Sequence, residues 1–163
     1  MSPVPAGQAR STSIATARLK AEAGGVNPPA IHVLAGALFD PAGRVLIAQR
    51  PAGKHMAGKW EFPGGKREAS ETPLEALCRE LQEELGVDVA HARPLIHYEY
   101  TYSDRVVLLD LWCVTEYAGE PQSREGQRLA WVRVQELGEV DLLEADLPMA
   151  HALSNYVAVT PAG

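Results

Sequence analysis

A chain of 163 residues, 46% hydrophobic and 22% charged, can bury one full core with the usage of an ordinary globular domain, which excludes a long disordered tract, a coiled coil or a fibrous repeat. Its formal net charge of -6 excludes the basic surface that general nucleic-acid binding requires, so no stable nucleic-acid partner is expected. No stretch approaches the roughly 20 apolar residues of a membrane span, which makes a cytoplasmic location without membrane contact the expectation.

Residues 1–29 are rich in Ala, Ser, Thr, Pro and Gly, with Glu22 the only acid, and read as a disordered arm ahead of one domain over 30–160. The apolar run 31–39, the turn Asp40-Pro41-Ala42-Gly43 and the alternation over 44–49 predict a β-hairpin. Residues 51–59 carry Pro51, Gly53 and Gly58 without periodicity and read as a surface loop. A short strand over 60–63 then feeds a Gly64-Gly65 turn.

The next segment, GGKREASETPLEALCRELQEELGV from Gly64 to Val87, has the clearest pattern in the chain. Thr72, Pro73 and Glu75 form an N-cap, a first-turn proline and a capping-box acid, and Gly86 stops the helix they begin. Leu74, Leu77, Leu81 and Leu85 recur at spacings of three and four, an apolar stripe. On another face Glu80, Glu83 and Glu84 stand at i, i+3 and i+4. Three carboxylates so placed repel one another unless a cation sits among them. Oxygen donors suit Mg2+, or Mn2+, both of which bridge readily to phosphate.

Strands follow over 94–102 and 106–115 as a second hairpin around Ser103-Asp104-Arg105. Residues 118–127 read as a polar loop, 129–134 as a strand, and 140–157 as a helical end broken at Pro148. Cys78 and Cys113 fall among apolar neighbours in predicted elements and read as small buried hydrophobes rather than a disulfide. Strands mixed with two main helices make the fold class α+β.

From Gly65 five residues lead to Glu71, seven more to Arg79-Glu80, and then come Leu81, a spacer, Glu83-Glu84, a spacer, Gly86 and Val87. This spacing resembles the Nudix box at every fixed position. The flanks RPAGKHMAGKWEFPGGK, EYTYSDR and GEPQSREGQ are similar to the MutT-like branch of the Nudix hydrolases. The resemblance implies an alpha/beta/alpha sandwich with a mixed sheet. It also implies a metal-dependent hydrolysis of nucleoside triphosphates to monophosphate and pyrophosphate that favours oxidised guanine nucleotides such as 8-oxo-dGTP, with a role in nucleotide-pool sanitation and DNA repair. Carried over by position, Gly64 (through its carbonyl), Glu80, Glu83, Glu84 and Glu125 become the metal site, with Glu80 or Glu125 as general base.

Arg79 reads as the residue that orients those carboxylates, through bidentate bonds a lysine does not copy. Arg50 matches a nucleotide-contacting arginine, Lys66 lies where phosphate would pass, and Phe62 and Tyr102 match positions lining a base pocket. Where MutT-like enzymes place a base-reading asparagine after a Pro-containing turn, this chain runs Leu147-Pro148-Met149-Ala150-His151. The substitution puts His151, with Asn155 near by, in the base-reading position and leaves specificity for 8-oxoguanine open. The alternatives are another nucleoside diphosphate-linked substrate (a pyrimidine triphosphate, a sugar nucleotide or ADP-ribose) or a non-hydrolytic binding module.

Overall fold

The computed structural model describes residues 10–11 and 31–159, with side chains over 31–157. Of the expected arm over 1–29, only Arg10–Ser11 is described; the remainder lies outside the described residues. The elements in chain order are β1 (Arg10–Ser11), β2 (Ile31–Leu38), β3 (Val45–Gln49), β4 (Trp60–Glu61), β5 (Gly64–Lys66), helix α1 (Pro73–Leu85), β6 (Asp88–Thr101), β7 (Val106–Ala118) and β8 (Arg128–Val132). Two 3-10 turns, Val134–Glu139 and Glu144–Asp146, lead into helix α2 (Leu147–Val159).

Five strands form one sheet in the order β1-β6-β7-β2-β5, and three form another in the order β4-β3-β8. The first is mixed, because β2 runs parallel to β7 while its other pairs are antiparallel. β2 divides the core by the two-residue period of a strand. Leu34 and Leu38 pack with Leu77, Leu81 and Leu85 of α1, while Ala35 and Ala37 join Met149 and Leu153 of α2. Helices thus cover opposite faces, giving the alpha/beta/alpha sandwich. Each fully buried leucine of α1 contributes roughly 1.5–3 kcal/mol. No helix among the described residues is long and apolar enough to cross a membrane.

Several elements depart from the sequence reading. The turn at Asp40 forms, with its Oδ1 accepting from the Ala42 and Arg44 N–H groups, but Phe39 and Val45 share only an isolated bridge. Beyond it β2 and β3 part into different sheets, so the first hairpin is not a continuous ladder. β6 starts at Asp88 rather than 94 and passes through irregularities at His91 and between Pro94 and Ile96. Proline is tolerated there because a bulge does not require its missing N–H.

Leu74 is 41% exposed, and Ala76, fully buried, takes its place in the apolar stripe. Cys78 is half-buried and Cys113 buried, and both thiols are free. Pro148 begins α2 rather than breaking a longer helix, since a first-turn proline loses no helical bond.

Candidate active site

Helix α1 begins and ends as its residues dictate. The Glu75 N–H donates to Thr72 Oγ1 and the Thr72 N–H to the Glu75 carboxylate, and Gly86 closes the helix in the left-handed conformation. The last turn carries no cation of its own. Arg124, from the loop after β7, supplies one, donating to the Gln82 carbonyl at 3.1 Å and to its side-chain oxygen at 3.0 Å.

Gly64 and Gly65 exist for close approach. A Cβ on Gly64 would lie 1.9 Å from the Leu34 carbonyl oxygen, and one on Gly65 would lie 2.3 Å from the Glu80 carboxylate. β5 therefore lies flat between β2 and α1, and the Gly64 N–H donates to Glu84 Oε2 at 2.9 Å. Glu84 is only 7% exposed. Burial pushes its carboxyl up to about 8, against the Gly64 bond that lowers it, and Glu125, Glu61 and Glu80 push it further. Burial also raises Glu80, opposed by Arg79 and reinforced by Glu83 and Glu125. The four carboxylates of Glu61, Glu80, Glu84 and Glu125 thus share one field, which a divalent cation would relieve; all-oxygen donors fit magnesium or manganese.

Arg79 gathers the acids around this field. Its Nε and Nη2 hold the two oxygens of Glu71, Nη1 donates to Glu80 at 2.9 Å and Glu83 at 3.2 Å, and Nη2 also reaches the Lys66 carbonyl at 3.0 Å. That fork, with the Glu68 N–H, holds the Glu71 carboxyl down at about 2. Glu75, four residues before Arg79, is occupied by the cap.

Glu125 arrives from a loop pinned to the end of α1. The Arg124 N–H donates to the Glu84 carbonyl and the Gln122 N–H to the Leu85 carbonyl. Gln127, buried, donates from Nε2 to the Glu84 carbonyl, while its Oε1 accepts from the Ser123 hydroxyl and the Glu125 N–H. Sequence reasoning found Glu125 but not the amide that places it. The only sign was a glutamine in a polar loop.

A second group lies toward the start of α2. Arg50 Nε stands 3.8 Å from Glu61 Oε1 and, although buried, makes no hydrogen bond. Phe62 is buried, and its N–H donates to Asp146 Oδ2 at 3.0 Å. Burial pushes Asp146 up to about 7; the Phe62 bond lowers it, Glu61 raises it and Arg50 lowers it. Tyr102, partly buried, packs edge-on against Tyr100 at 4.9 Å, and its hydroxyl feels both Asp146 and Arg50. Arg50, Glu61, Phe62, Tyr102 and Asp146 are therefore one cluster.

Glu61 and Asp146 went unnoticed in the sequence, Glu61 in a strand of two residues and Asp146 in a stretch read as helix up to a break at Pro148. His151 and Asn155 are exposed on α2, and Lys66 is exposed at the end of β5. No hydrogen bond or ion pair among the described residues joins these three side chains to the cluster. Between Arg50 and the Glu125 turn a cavity of about 440 Å³ opens, lined by Arg50, Gly58, Gly126 and Arg128 among others, none of them acidic.

Residues 34–152 match the model of the NUDIX domain family. The chain is 46% identical to an 8-oxo-dGTP diphosphatase of Proteus vulgaris over 96 residues, 59% of this chain and 86% of that protein. It is 38% identical to a CTP pyrophosphohydrolase of Escherichia coli over 132 residues, 81% of this chain and 97% of the relative. The solution structure of the E. coli ORF135 protein superposes with a TM-score of 0.72 at 37% identity, covering 82% of this chain and 94% of the other.

Proposed function

This chain belongs to the NUDIX domain family, and from that premise we propose that it is a cytoplasmic, magnesium-dependent hydrolase of nucleoside triphosphates that clears oxidised purine nucleotides such as 8-oxo-dGTP from the nucleotide pool. The products are a nucleoside monophosphate and pyrophosphate. The observation that carries the reading is Glu84, a buried carboxylate hydrogen-bonded to the Gly64 N–H with three further acids acting on it. Such a set is costly as it stands and is resolved by a cation.

In this reading Glu80, Glu83, Glu84, Glu125 and the Gly64 carbonyl hold the divalent ion. When bound, that ion neutralises phosphate charge and lowers the pKa of a coordinated water. Arg79 keeps Glu71, Glu80 and Glu83 in fixed orientation, so the donor set is arranged before substrate arrives. Either Glu80 or Glu125 takes the proton from the water that attacks phosphorus, and the phosphoanhydride bond joining nucleoside monophosphate to pyrophosphate breaks. Arg50 and Lys66 offer positive charge to the phosphates, and Phe62 and Tyr102 offer apolar surface to the base.

Asp146 favours a second substrate reading. A carboxyl beside the base pocket accepts hydrogen bonds from base N–H groups, and it is Asp146, not the exposed His151 to which the resemblance pointed, that is bonded to Phe62. An exocyclic amine such as that of cytosine meets an ionised carboxylate well, and one relative bears the name CTP pyrophosphohydrolase. The deciding experiment is kcat/KM with magnesium for 8-oxo-dGTP, dGTP, dCTP and CTP. The sanitation role predicts the highest value for 8-oxo-dGTP; equal values for it and dGTP would remove that role, and a maximum at CTP or dCTP would install the second reading.

A further inference from the structure

Away from the carboxylate site, three adjacent strands place His97 (β6), Asp110 (β7) and His32 (β2) together. His97 and Asp110 are directly paired across the antiparallel β6-β7 ladder, and Asp110 pairs with Leu34, two residues along β2 from His32. By the two-residue period of strands, His32 shares a face with Leu34 and Asp110 with Trp112, both of which pack on the α1 side. Nε2 of His32 lies 3.0 Å from Asp110 Oδ2, and Nδ1 of His97 contacts Asp110 Oδ1. One donor atom from each of the three residues lies within 4.8 Å of the others.

Two further facts distinguish this group from an ordinary buried ion pair. The Nε2 of His32 is buried and stands 3.0 Å from Asp110 Oδ2 without the alignment of a hydrogen bond, so an imidazole nitrogen faces the carboxylate by charge and position rather than through a directed bond. The side chains of His32, His97 and Asp110 are 13%, 18% and 10% exposed, which shields the group while leaving it open on the solvent side. The backbone around them is sheet, so the donors are held on a rigid frame.

We propose that His32, His97 and Asp110 form a second metal site, for a divalent transition ion of the zinc class, separate from the carboxylate site on α1. Two imidazole nitrogens and one carboxylate are a borderline donor set, which zinc, cobalt and nickel prefer and magnesium does not. Three protein ligands leave room for a water as the fourth. An entering ion takes the place of the proton held between His97 and Asp110, so binding releases it to solvent. Because the ligands come from three strands, the ion ties β6, β7 and β2 together, and its binding stabilises the fold by mass action.

The test uses the full chain with magnesium in excess to occupy the oxygen site, and Co2+ as the probe. The expected result is one Co2+ per chain with the visible absorption of a nitrogen-ligated, four-coordinate ion, retained in E84Q. In H32Q or H97Q the affinity should fall more than about 100-fold, beyond the effect of losing an outer hydrogen-bond partner, while magnesium-dependent turnover persists and reports an intact fold. Adding Zn2+ to the wild-type chain should shift the 15N resonances of His32 Nε2 and His97 Nδ1. Unmoved ring resonances, or Co2+ binding identical in wild type and both histidine variants, would overturn the proposal without touching the hydrolase reading, which the nucleotide panel decides.

Discussion

The two ends of the candidate site are built to different standards. At the α1 end the acids are tied to their surroundings: Glu84 is buried and bonded to Gly64, and Glu71, Glu80 and Glu83 are all held by Arg79. Glu125 hangs from a loop tied to three carbonyls of the same helix. At the α2 end Arg50 keeps a buried nitrogen without a hydrogen bond, and the only hydrogen bond linking Phe62 to Asp146 runs from backbone to side chain. The rigid end suits chemistry, which loses rate when donors shift by a fraction of an ångström. The looser end suits recognition, where a single exchange of donor for acceptor changes the preferred base.

The largest effect should follow from E84Q, which keeps the shape of the side chain but removes the charge at the centre of the acid cluster. We expect kcat to fall on the order of 10²–10³-fold or more, with little change in the ranking of bases. A ranking that changed as much as kcat would erase the division of labour between the two ends. Next comes G65A, whose methyl would sit 2.3 Å from the Glu80 carboxylate. Displacing one acid by about 1 Å should cost roughly 10²-fold in kcat, with circular dichroism unchanged.

Smaller and opposite in kind is D146N, which should leave kcat for the best substrate nearly intact and change the kcat/KM ratio between 8-oxo-dGTP and dCTP by roughly 10- to 200-fold. The same variant has a pH signature. Asp146 in the fold keeps its proton to about pH 7, against 3.8 for a free aspartate side chain, because it is buried. Between those limits the folded chain binds the extra proton, so this group makes stability fall as pH rises through the window and adds no further slope above it. D146N should therefore show a shallower decline of Tm from pH 4 to 7 than wild type. An unchanged slope would mean that Asp146 ionises normally in the fold.

The same contrast decides what could be read from the sequence. The α1 end was legible because its constraints are local: a capping box at Thr72 and Glu75, leucines at helical spacing, and acids at i, i+3 and i+4 all lie within one segment. Even there the stripe lost Leu74 to Ala76, since periodicity says which residues share a face but not which of them the neighbouring elements cover. The α2 end was not legible, because Phe62 and Asp146 meet across 84 positions of chain and neither sits in an element long enough to show a period. The split of β2 and β3 into separate sheets escaped for the same reason. A turn motif at Asp40 predicts reversal but not which partner each strand takes afterward.

The attachment of the loop after β7 also determines where this chain tolerates added length. Its ties to α1 begin at Gln122, whose N–H meets the Leu85 carbonyl, and run through Arg124 to Gln127. Extra residues placed between Glu120 and Pro121 would bulge into solvent ahead of the first tie and leave the Glu125 carboxylate where it stands. The same insertion after Gln122 would shift that carboxylate out of step with the helix. A loop that looks like filler thus has one end that is free and one that serves as a ruler.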